Sequence, residues 1–266
     1  MKKQALIALI ISSFAGAAFA NDAADMQRFK ENNSCADCDL RNIKMQGETM
    51  RDAKLPGTIL RDSLMKESTL DGADLQNADM RRADFEKASL IGANLSKAIL
   101  RDIDLEKSIL TKALLIGADL RDADLENTLA EKADFTGADM RNANLKRGLF
   151  NNARFVKAEL SNANMKRAIA NDTNFSDAKM KNARMTRAEL RNSNFEDANL
   201  TMANFYRADL SGANFKDADL EDASFWNAIL TGADLSDADN LEQTQLEGAC
   251  GNAQTRLPYG ISIPSC

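Results

Sequence analysis

The sequence contains no histidine, and this absence excludes several classes of enzyme. Histidine is the side chain that titrates near neutral pH, the commonest metal ligand, and the base of Ser-His and Cys-His nucleophile pairs. The sequence also lacks any apolar run near the roughly 20 residues that a helix needs to cross a bilayer. We therefore expect a protein that is not an enzyme, that needs no cofactor or metal, and that does not span a membrane.

Residues 1–20 have the pattern of a secretory signal peptide. Two lysines precede an apolar run over residues 5–11, and Ala18-Phe19-Ala20 matches an A-x-A cleavage site. We predict cleavage before Asn21 and a periplasmic or secreted product. The residue directly after the predicted cleavage site is Asn21 and not cysteine, which argues against a lipoprotein.

Charge is distributed unevenly along the chain. Residues 21–140 carry 17 basic and 24 acidic side chains, residues 141–191 carry 12 and 4, and residues 192–240 carry 2 and 10. A net negative charge favours solubility but selects no partner by itself. The distribution predicts a molecule that is acidic, then basic, then acidic along its length.

A period of five residues dominates the chain. From Leu40 to Leu235 every fifth residue is Leu, Met or Phe at 38 of 40 positions, with Ala130 and Ala170 as the exceptions. The residue two places earlier is small, usually Ala, and Asp or Asn most often lies between the two. Neither a helix nor a flat strand produces this period, so it predicts a solenoid.

The repeated unit resembles the A(D/N)LXX motif of the pentapeptide repeat proteins. Typical units are Ala118-Asp119-Leu120-Arg121-Asp122 and Ala203-Asn204-Phe205-Tyr206-Arg207, and the resemblance covers about 200 of the 266 residues. It implies an all-β solenoid, a right-handed quadrilateral parallel β-helix with four units in each coil. The central Leu, Met or Phe and the small residue before it would then point inward, and the other three residues outward.

The spacing of like residues tests for four sides. Residues 20 apart should stack in such a coil, and Phe135, Phe155, Phe175, Phe195 and Phe215 form an unbroken inward column. An outward arginine column runs at the same interval from Arg41 to Arg141. A three-sided coil would instead follow Arg41 with Pro56 and Asp71, so the sequence favours four sides.

Four segments are expected along the chain: a signal peptide at 1–20, an N-terminal cap at 21–39, the β-helix at 40–240 and a folded-back C-terminal cap at 241–266. Residues 22–32 can form a short helix that places Met26 and Phe29 over the first coil. About ten coils, with strands about 4.8 Å apart, predict a rod roughly 48 Å tall.

The four cysteines lie only in the predicted caps. In an oxidising compartment Cys250 and Cys266 are expected to form a disulfide bond, which stabilises by about 3 kcal/mol in the chain-entropy model. Cys35 and Cys38 have the C-x-x-C spacing of redox sites, in which a thiol pKa can be lowered. Because they occupy inward positions before Leu40, we interpret them as buried thiols or a local disulfide.

Apolar residues interrupt the polar exterior in one column: Ile109, Leu129, Leu149 and Ile169 each precede a core position on four successive coils. They predict an exposed patch on the order of a few hundred Å², enough to mark an interface. Both core alanines lie in this column of units, on either side of Phe150, with Gly148 beside the ring. One interpretation is that the alanines compensate for the volume of the ring. The alternative is a local shift that turns Leu129 and Ile169 inward.

Two aromatic residues, Tyr206 and Trp226, are expected to stack outward on adjacent coils. Exposed amphipathic aromatics are favoured anchors at interfaces, so a homodimer through this region is one hypothesis. The alternative is an aromatic pair that lies on the C-terminal coils or under the cap.

Two arginine ladders are predicted on the exterior. In the column from Arg41 to Arg141, three of the arginines are each followed directly by an aspartate: Asp62, Asp102 and Asp122. This spacing suggests that the column is neutralised within the protein. The ladder of Arg147, Arg167, Arg187 and Arg207 has fewer acidic neighbours and is the better candidate for an anionic partner. A solvated charged face is the alternative interpretation.

Together these features predict an exported, non-enzymatic scaffold that binds a protein or an anionic envelope polymer through its outer faces. The other function implied by the resemblance is DNA mimicry, by which some pentapeptide repeat proteins modulate type II topoisomerases. Export would separate the protein from the nucleoid, and the basic middle would interrupt an acidic track. Both points argue against DNA mimicry and against a nucleic-acid partner.

Overall fold

The computed structural model describes residues 22–266, and the predicted signal peptide lies outside the described residues. The main feature is a ladder of parallel β-bridges that joins residues 20 apart, from Ser34 with Lys54 up to Asp219 with Asp239. A chain whose bridges repeat at this interval returns to the same face after four of its five-residue units, so four units make one turn. The predicted four-sided, right-handed β-helix is confirmed.

Units with Asp or Asn before the core residue satisfy all five backbone N–H groups, as the unit around Leu75 shows. Around Leu75, the N–H groups of Asp74, Leu75 and Asn77 donate to carbonyl groups of neighbouring coils at 2.8–3.0 Å. The N–H of Ala78 closes a turn onto the Leu75 carbonyl at 3.1 Å. The fifth, on Gln76, donates to Oδ1 of Asp74 at 3.3 Å. This last bond explains why Asp or Asn so often precedes the core residue.

The four faces can be named by the outward residue that forms the bridges. Face 1 carries the column from Ser34 to Asp234, face 2 the column from Asp39 to Asp239, face 3 the column from Lys44 to Ser224, and face 4 the column from Thr49 to Ile229. The two turn residues of each unit lie at the corner that leads to the next face. Consecutive coils lie about 4.8 Å apart, the ordinary spacing of hydrogen-bonded strands.

The core is a set of vertical columns of large apolar side chains. Phe135 and Phe155 stack with ring centroids 4.7 Å apart and an interplanar angle of 4°. Phe175, Phe195 and Phe215 continue the column at 5.0 Å spacing. All five rings are fully buried. Because the ring spacing is close to the coil spacing, the aromatic column packs without a gap.

Helix α1, Ala23–Asn32, covers the N-terminal end of the rod. The Asp22 side chain caps it by accepting a hydrogen bond from the N–H of Ala24 at 2.9 Å. Phe29 is buried against the core and Met26 packs beside it, so the predicted helical cap is confirmed. A one-turn 3-10 helix, Gln243–Leu246, interrupts the last coil.

Bridges extend beyond residue 240, but their interval lengthens. Ile229 pairs with Cys250 and Asp234 pairs with Arg256. Both pairs join residues more than 20 apart, so the chain between them is longer than in the regular coils. The chain then folds back, so that Ser265 pairs with Gly251. The C-terminal segment therefore combines one irregular coil with a terminal strand laid over its edge.

Candidate interaction surfaces

The apolar column of face 4 points outward. Leu129 is 38 % exposed, and Ile109, Leu149 and Ile169 are half-buried because each is stacked between coil neighbours. The bridges that join Leu129 to Leu149 and Leu149 to Ile169 keep the regular interval. Apolar side chains at this position cannot accept the hydrogen bond that Asp or Asn takes from the following turn. The column therefore gives up a local hydrogen bond in order to present apolar surface.

The core beneath this column accommodates one large ring. Ala130, Phe150 and Ala170 are all fully buried, so the alanines remain inward and the alternative of a local shift is wrong. A Cβ atom on Gly148 would lie 2.4 Å from Cε2 of Phe150, which shows that the ring fills the space of the missing side chain. Volume compensation therefore explains both alanines and the glycine.

Three more exposed apolar residues adjoin the column: Ile91 at 41 %, Leu114 at 39 % and Ile116 at 40 %. Ile91 lies at the corner of faces 4 and 1, Leu114 on face 1, and Ile116 at the next corner. They extend the apolar surface from face 4 around one side of the rod. The sequence contains the signal for them, since each occupies an outward position of the five-residue period.

The corner between faces 3 and 4 carries the second candidate surface. Lys146, Lys166, Arg167, Thr186, Arg187 and Tyr206 line an open groove of about 360 Å³. Glu126, one coil below, contacts Lys146 at 2.9 Å and Arg147 at 3.3 Å. The guanidinium of Arg207 lies over the Tyr206 ring, 5.1 Å from its centroid. The predicted anion-facing ladder is thus brought together on one edge.

Tyr206 and Trp226 are neighbours at the same corner, with ring centroids 5.4 Å apart and planes tilted by 53°. Trp226 is 51 % exposed, although Cδ1 of its ring lies near Gly248 of the last coil. The pair is therefore open to solvent on one side and borders the C-terminal segment on the other. The pair is thus partly exposed and partly covered, and the homodimer through this region stays a prediction.

The arginine ladder of face 2 is neutralised within the protein, but not by the aspartates expected from the sequence. Arg81 donates to both carboxylate oxygens of Asp79 at 2.9 and 2.8 Å, and Arg121 binds Asp119 in the same manner. Of the three expected partners, Asp62 binds Arg82 instead. The residue before the core position lies on the flat face within reach of the guanidinium, whereas Asp62 and Asp122 accept hydrogen bonds from Arg82 and Asn142 of the next coil.

These ion pairs lower the pKa values of Asp79, which is buried, and of Asp119, which is partly buried. Burial raises the pKa of Asp79, but hydrogen bonds from Arg81 and Arg61 outweigh it and lower the pKa to about 2. Burial of Asp119 is likewise outweighed by hydrogen bonds from Arg121 and Arg101, with a pKa of about 2. Both carboxylates are therefore charged over the physiological pH range.

The four cysteines form two disulfide bonds, Cys35–Cys38 and Cys250–Cys266. Cys35 and Cys38 are buried, and the Arg28 side chain of α1 donates to both sulfur atoms. The first disulfide thus lies under the N-terminal helix, and the second ties the folded-back strand to the last coil. Both occupy ends of the rod, where coils have a neighbour on one side only.

Comparison with known proteins identifies the family. Residues 78–155 and 149–225 match the family described as "Pentapeptide repeat region", and residues 208–250 match "Pentapeptide repeats (8 copies)". The matched segments cover more than half of the chain, which therefore belongs to the pentapeptide repeat family. Among curated proteins, none matches the chain in sequence.

Several solved structures are similar to the chain. HetL of the cyanobacterium Nostoc sp. strain PCC 7120, a pentapeptide repeat protein involved in heterocyst differentiation regulation, is 27 % identical. The match covers 91 % of this chain and 99 % of HetL, with a TM-score of 0.43. QnrB1, a plasmid-mediated fluoroquinolone resistance protein, is 21 % identical over 70 % of this chain and 90 % of its own, with a TM-score of 0.42.

Among residues 22–266, no helix is long and apolar enough to cross a membrane.

Proposed function

We propose that this pentapeptide repeat protein is an exported, non-enzymatic scaffold that binds a partner protein through the apolar column of face 4. The observation that carries the proposal is the outward placement of Ile109, Leu129, Leu149 and Ile169 on four successive coils. Export is supported by the signal-peptide pattern of residues 1–20. The lack of histidine and the regular repeat support the non-enzymatic part of the proposal.

A protein suits this surface better than an anionic polymer does. Leu114, Ile116 and Ile91 extend the apolar area, and a uniformly charged polymer would gain nothing from covering it. Burying apolar surface contributes about 25 cal/mol per Å², so a partner with apolar side chains gains several kcal/mol from a patch of a few hundred Å².

The first prediction concerns Leu149→Asn. Asn is a common residue at this position of the repeat, and it can accept the hydrogen bond of the following turn, so the fold should be retained. Removal of the central apolar side chain is expected to weaken partner binding about tenfold or more. Crosslinking pull-downs with envelope proteins would compare the wild type, Leu149→Asn and the control Ile99→Asn, which replaces an apolar side chain by Asn at the equivalent position of face 2.

The result expected is a protein retained by the wild type and by Ile99→Asn but lost with Leu149→Asn. Equal retention by all three chains would contradict the role of face 4. Cell fractionation tests the export: a chain that begins near Asn21 should be recovered from the envelope fraction, and an uncleaved chain in the cytosol would contradict it.

A further inference from the structure

The six central coils of face 3 and its corner with face 4 divide into a lower and an upper half of opposite charge. The lower half, residues 84–87, 104–107 and 124–127, carries six carboxylates and two lysines. The upper half, residues 144–147, 164–167 and 184–187, carries six cations and no carboxylate. Each half occupies three successive coils, so the two halves are equal in height and adjoin at the middle of the rod.

Most cations of the upper half have no counter-charge. Within residues 22–266, the ion pairs of this half are those of Lys146 and Arg147 with Glu126. Lys166, Arg167, Arg184 and Arg187 form none with any described residue, and residues 1–21 contain no Asp or Glu. Like charges one coil apart repel by about 1 kcal/mol even in water, so this stack is costly unless an external anion neutralises it.

The lower half has the complementary excess of negative charge. Its lysines, Lys87 and Lys107, are held by Glu86 at 3.0 Å and by Glu106 at 2.7 Å. Lys66, one coil below, contacts Glu86 at 2.8 Å and Asp84 at 3.1 Å. Three lysines therefore face Asp84, Glu86 and Glu106, and Glu126 is held by Lys146 and Arg147 of the upper half. The carboxylates of this half that form no ion pair within residues 22–266 are those of Asp104 and Asp124.

The aspartate column of face 3 is the least neutralised part of the lower half. Asp104 lies between Asp84 and Asp124, and neither Asp104 nor Asp124 forms an ion pair within residues 22–266. Burial raises the pKa of Asp104, and the two flanking carboxylates raise it further. This column therefore favours an external cation or hydrogen-bond donor, as the upper half favours an external anion.

We propose that two copies of the chain associate side by side and antiparallel through face 3, each upper half lying on the lower half of the other. The two-fold axis lies between the coil of residues 124–127 and the coil of residues 144–147. An isologous interface of this kind makes every contact twice.

The register follows from the equal coil spacing of the two copies. Lys166 of one copy lies opposite Glu106 of the second copy, and Lys146 lies opposite Glu126. The groove beside Lys166 gives the facing carboxylates a recess to enter. The central contacts of the interface therefore join unlike charges.

The flanking columns complete this register. Asp104 faces Asn164, whose amide group donates one N–H to Oδ1 of Asn144 and has its second N–H available for Asp104. Asp124 faces Asn144, whose amide group already donates to Asp124 and Glu126 of its own chain. Arg184 lies opposite Asp84. In the corner column, Lys87 and Lys107 of one copy face Arg187 and Arg167 of the other, so like charges meet. The neighbouring carboxylates of Glu86 and Glu106 reduce this repulsion. The outermost column is therefore the weakest part of the interface.

Two other arrangements are disfavoured by charge. In an antiparallel pair through face 4, one column of cations at the corner would face itself along its whole length: Lys87, Lys107, Arg147, Arg167 and Arg187. The carboxylate columns of face 3 would lie outside this interface and could not offset the repulsion. A parallel pair through face 3 would place cations on cations and carboxylates on carboxylates. Only the antiparallel arrangement through face 3 opposes unlike halves.

The expected affinity is modest. A face about 10 Å wide on a rod about 48 Å tall offers about 480 Å² per copy, below the roughly 800 Å² per partner of a standard interface. Charged pairs at such an interface are screened by salt, with a Debye length of about 8 Å at 0.15 M. The dimer should therefore form at micromolar or higher concentration and weaken steeply as salt is raised.

Sedimentation equilibrium of the chain lacking residues 1–20 tests the proposal with charge reversal. Lys166→Glu and Glu106→Lys are each expected to raise the dimer dissociation constant about tenfold or more at low salt, since each creates two repulsive pairs. The double variant restores both pairs in opposite sense and should return to within about threefold of the wild type. Lys157→Glu, at the diagonally opposite corner, is the matched control and should have no effect.

A wild-type chain that stays monomeric at about 100 μM in low salt would overturn the proposal. Failure of the double variant to recover would overturn the antiparallel register, because this register requires residue 106 of one copy to lie opposite residue 166 of the other. The apolar column of face 4 takes no part, so Leu149→Asn should leave this dimer unchanged. The self-association and the partner binding of face 4 can therefore fail independently.

Discussion

At the scale of the residue, the position before each core residue chooses between two roles. Asp or Asn there accepts the N–H of the following turn, as Asn174 does from Ser176 at 2.9 Å. Leu or Ile there gives up that bond and presents apolar surface, as Leu129 does. This one position in the period thus decides whether the backbone N–H of the following turn is hydrogen-bonded within the unit or whether the unit presents apolar surface to another molecule.

Buried hydroxyl groups at the small inward position lead to a second prediction. Ser193 donates to the Ala170 carbonyl at 2.8 Å, whereas the buried hydroxyl of Ser108 has no partner among the described residues. Ser193→Ala should lower the free energy of unfolding by about 1 kcal/mol, because a hydrogen bond is lost. Ser108→Ala should be neutral or stabilising, because an unsatisfied polar group is removed. Chemical denaturation compares the two variants, and equal losses would contradict this account.

At the scale of the element, the unit around Phe150 shows how one coil tolerates an oversized ring. The ring makes edge contacts with Phe135 and Phe155, at centroid distances of 6.2 and 5.7 Å. Small residues above, below and beside it provide the volume. Because interiors are close-packed, this arrangement leaves no room for an added methyl group.

The third prediction is that Gly148→Ala destabilises the fold by about 1–3 kcal/mol, since its Cβ would overlap the Phe150 ring. The same change in a Phe150→Leu background should cost clearly less, because the smaller side chain leaves the space open. A thermal or denaturant double-mutant cycle measures the coupling between the two sites. Equal costs in both backgrounds would show that the ring does not set the requirement for glycine.

The ion pairs of face 2 predict a pH dependence of stability. Asp79 and Asp119 have pKa values of about 2, below the ordinary value of 3.8. A lowered folded-state pKa contributes stability that is present above pH 4 and is lost as the pH falls towards 2. The Asp79→Asn, Asp119→Asn double variant should therefore be less stable at neutral pH and lose less stability between pH 4 and pH 2. Melting temperatures across this range provide the measurement, and parallel curves would contradict the assignment.

At the scale of the whole molecule, a uniform backbone carries non-uniform faces. The apolar surface lies on face 4, the paired arginines on face 2, and the opposed charge halves on face 3. Because each coil bonds only to the coils above and below, a substitution on one face leaves the others in place. This separation allows the partner surface and the self-association surface to coexist on one rod.

Much of the architecture could be predicted from the sequence because side chains in this fold obey a single period. The five-residue spacing of Leu, Met and Phe indicated the inward columns, and the constant interval between stacked like residues indicated four sides. The apolar column around Leu149 and the ladder around Arg167 were identified by the same spacing. Ile91, Leu114 and Ile116 occupy equivalent outward positions and were missed only because they do not form a column.

The sequence by itself determined the coil, its four sides and the membership of each column, because backbone bonds between coils repeat at a constant interval whatever the outward residues are. Only the tertiary structure decided which aspartates hold the arginines of face 2, whether Ala130 or Leu129 faces the core, and which cations of face 3 have a partner within the chain. These outcomes depend on distances of a few ångströms between side chains far apart in the chain, and on the space left by a missing side chain at Gly148. A one-dimensional period records the order of residues around the rod, but it contains neither the reach nor the direction of a side chain.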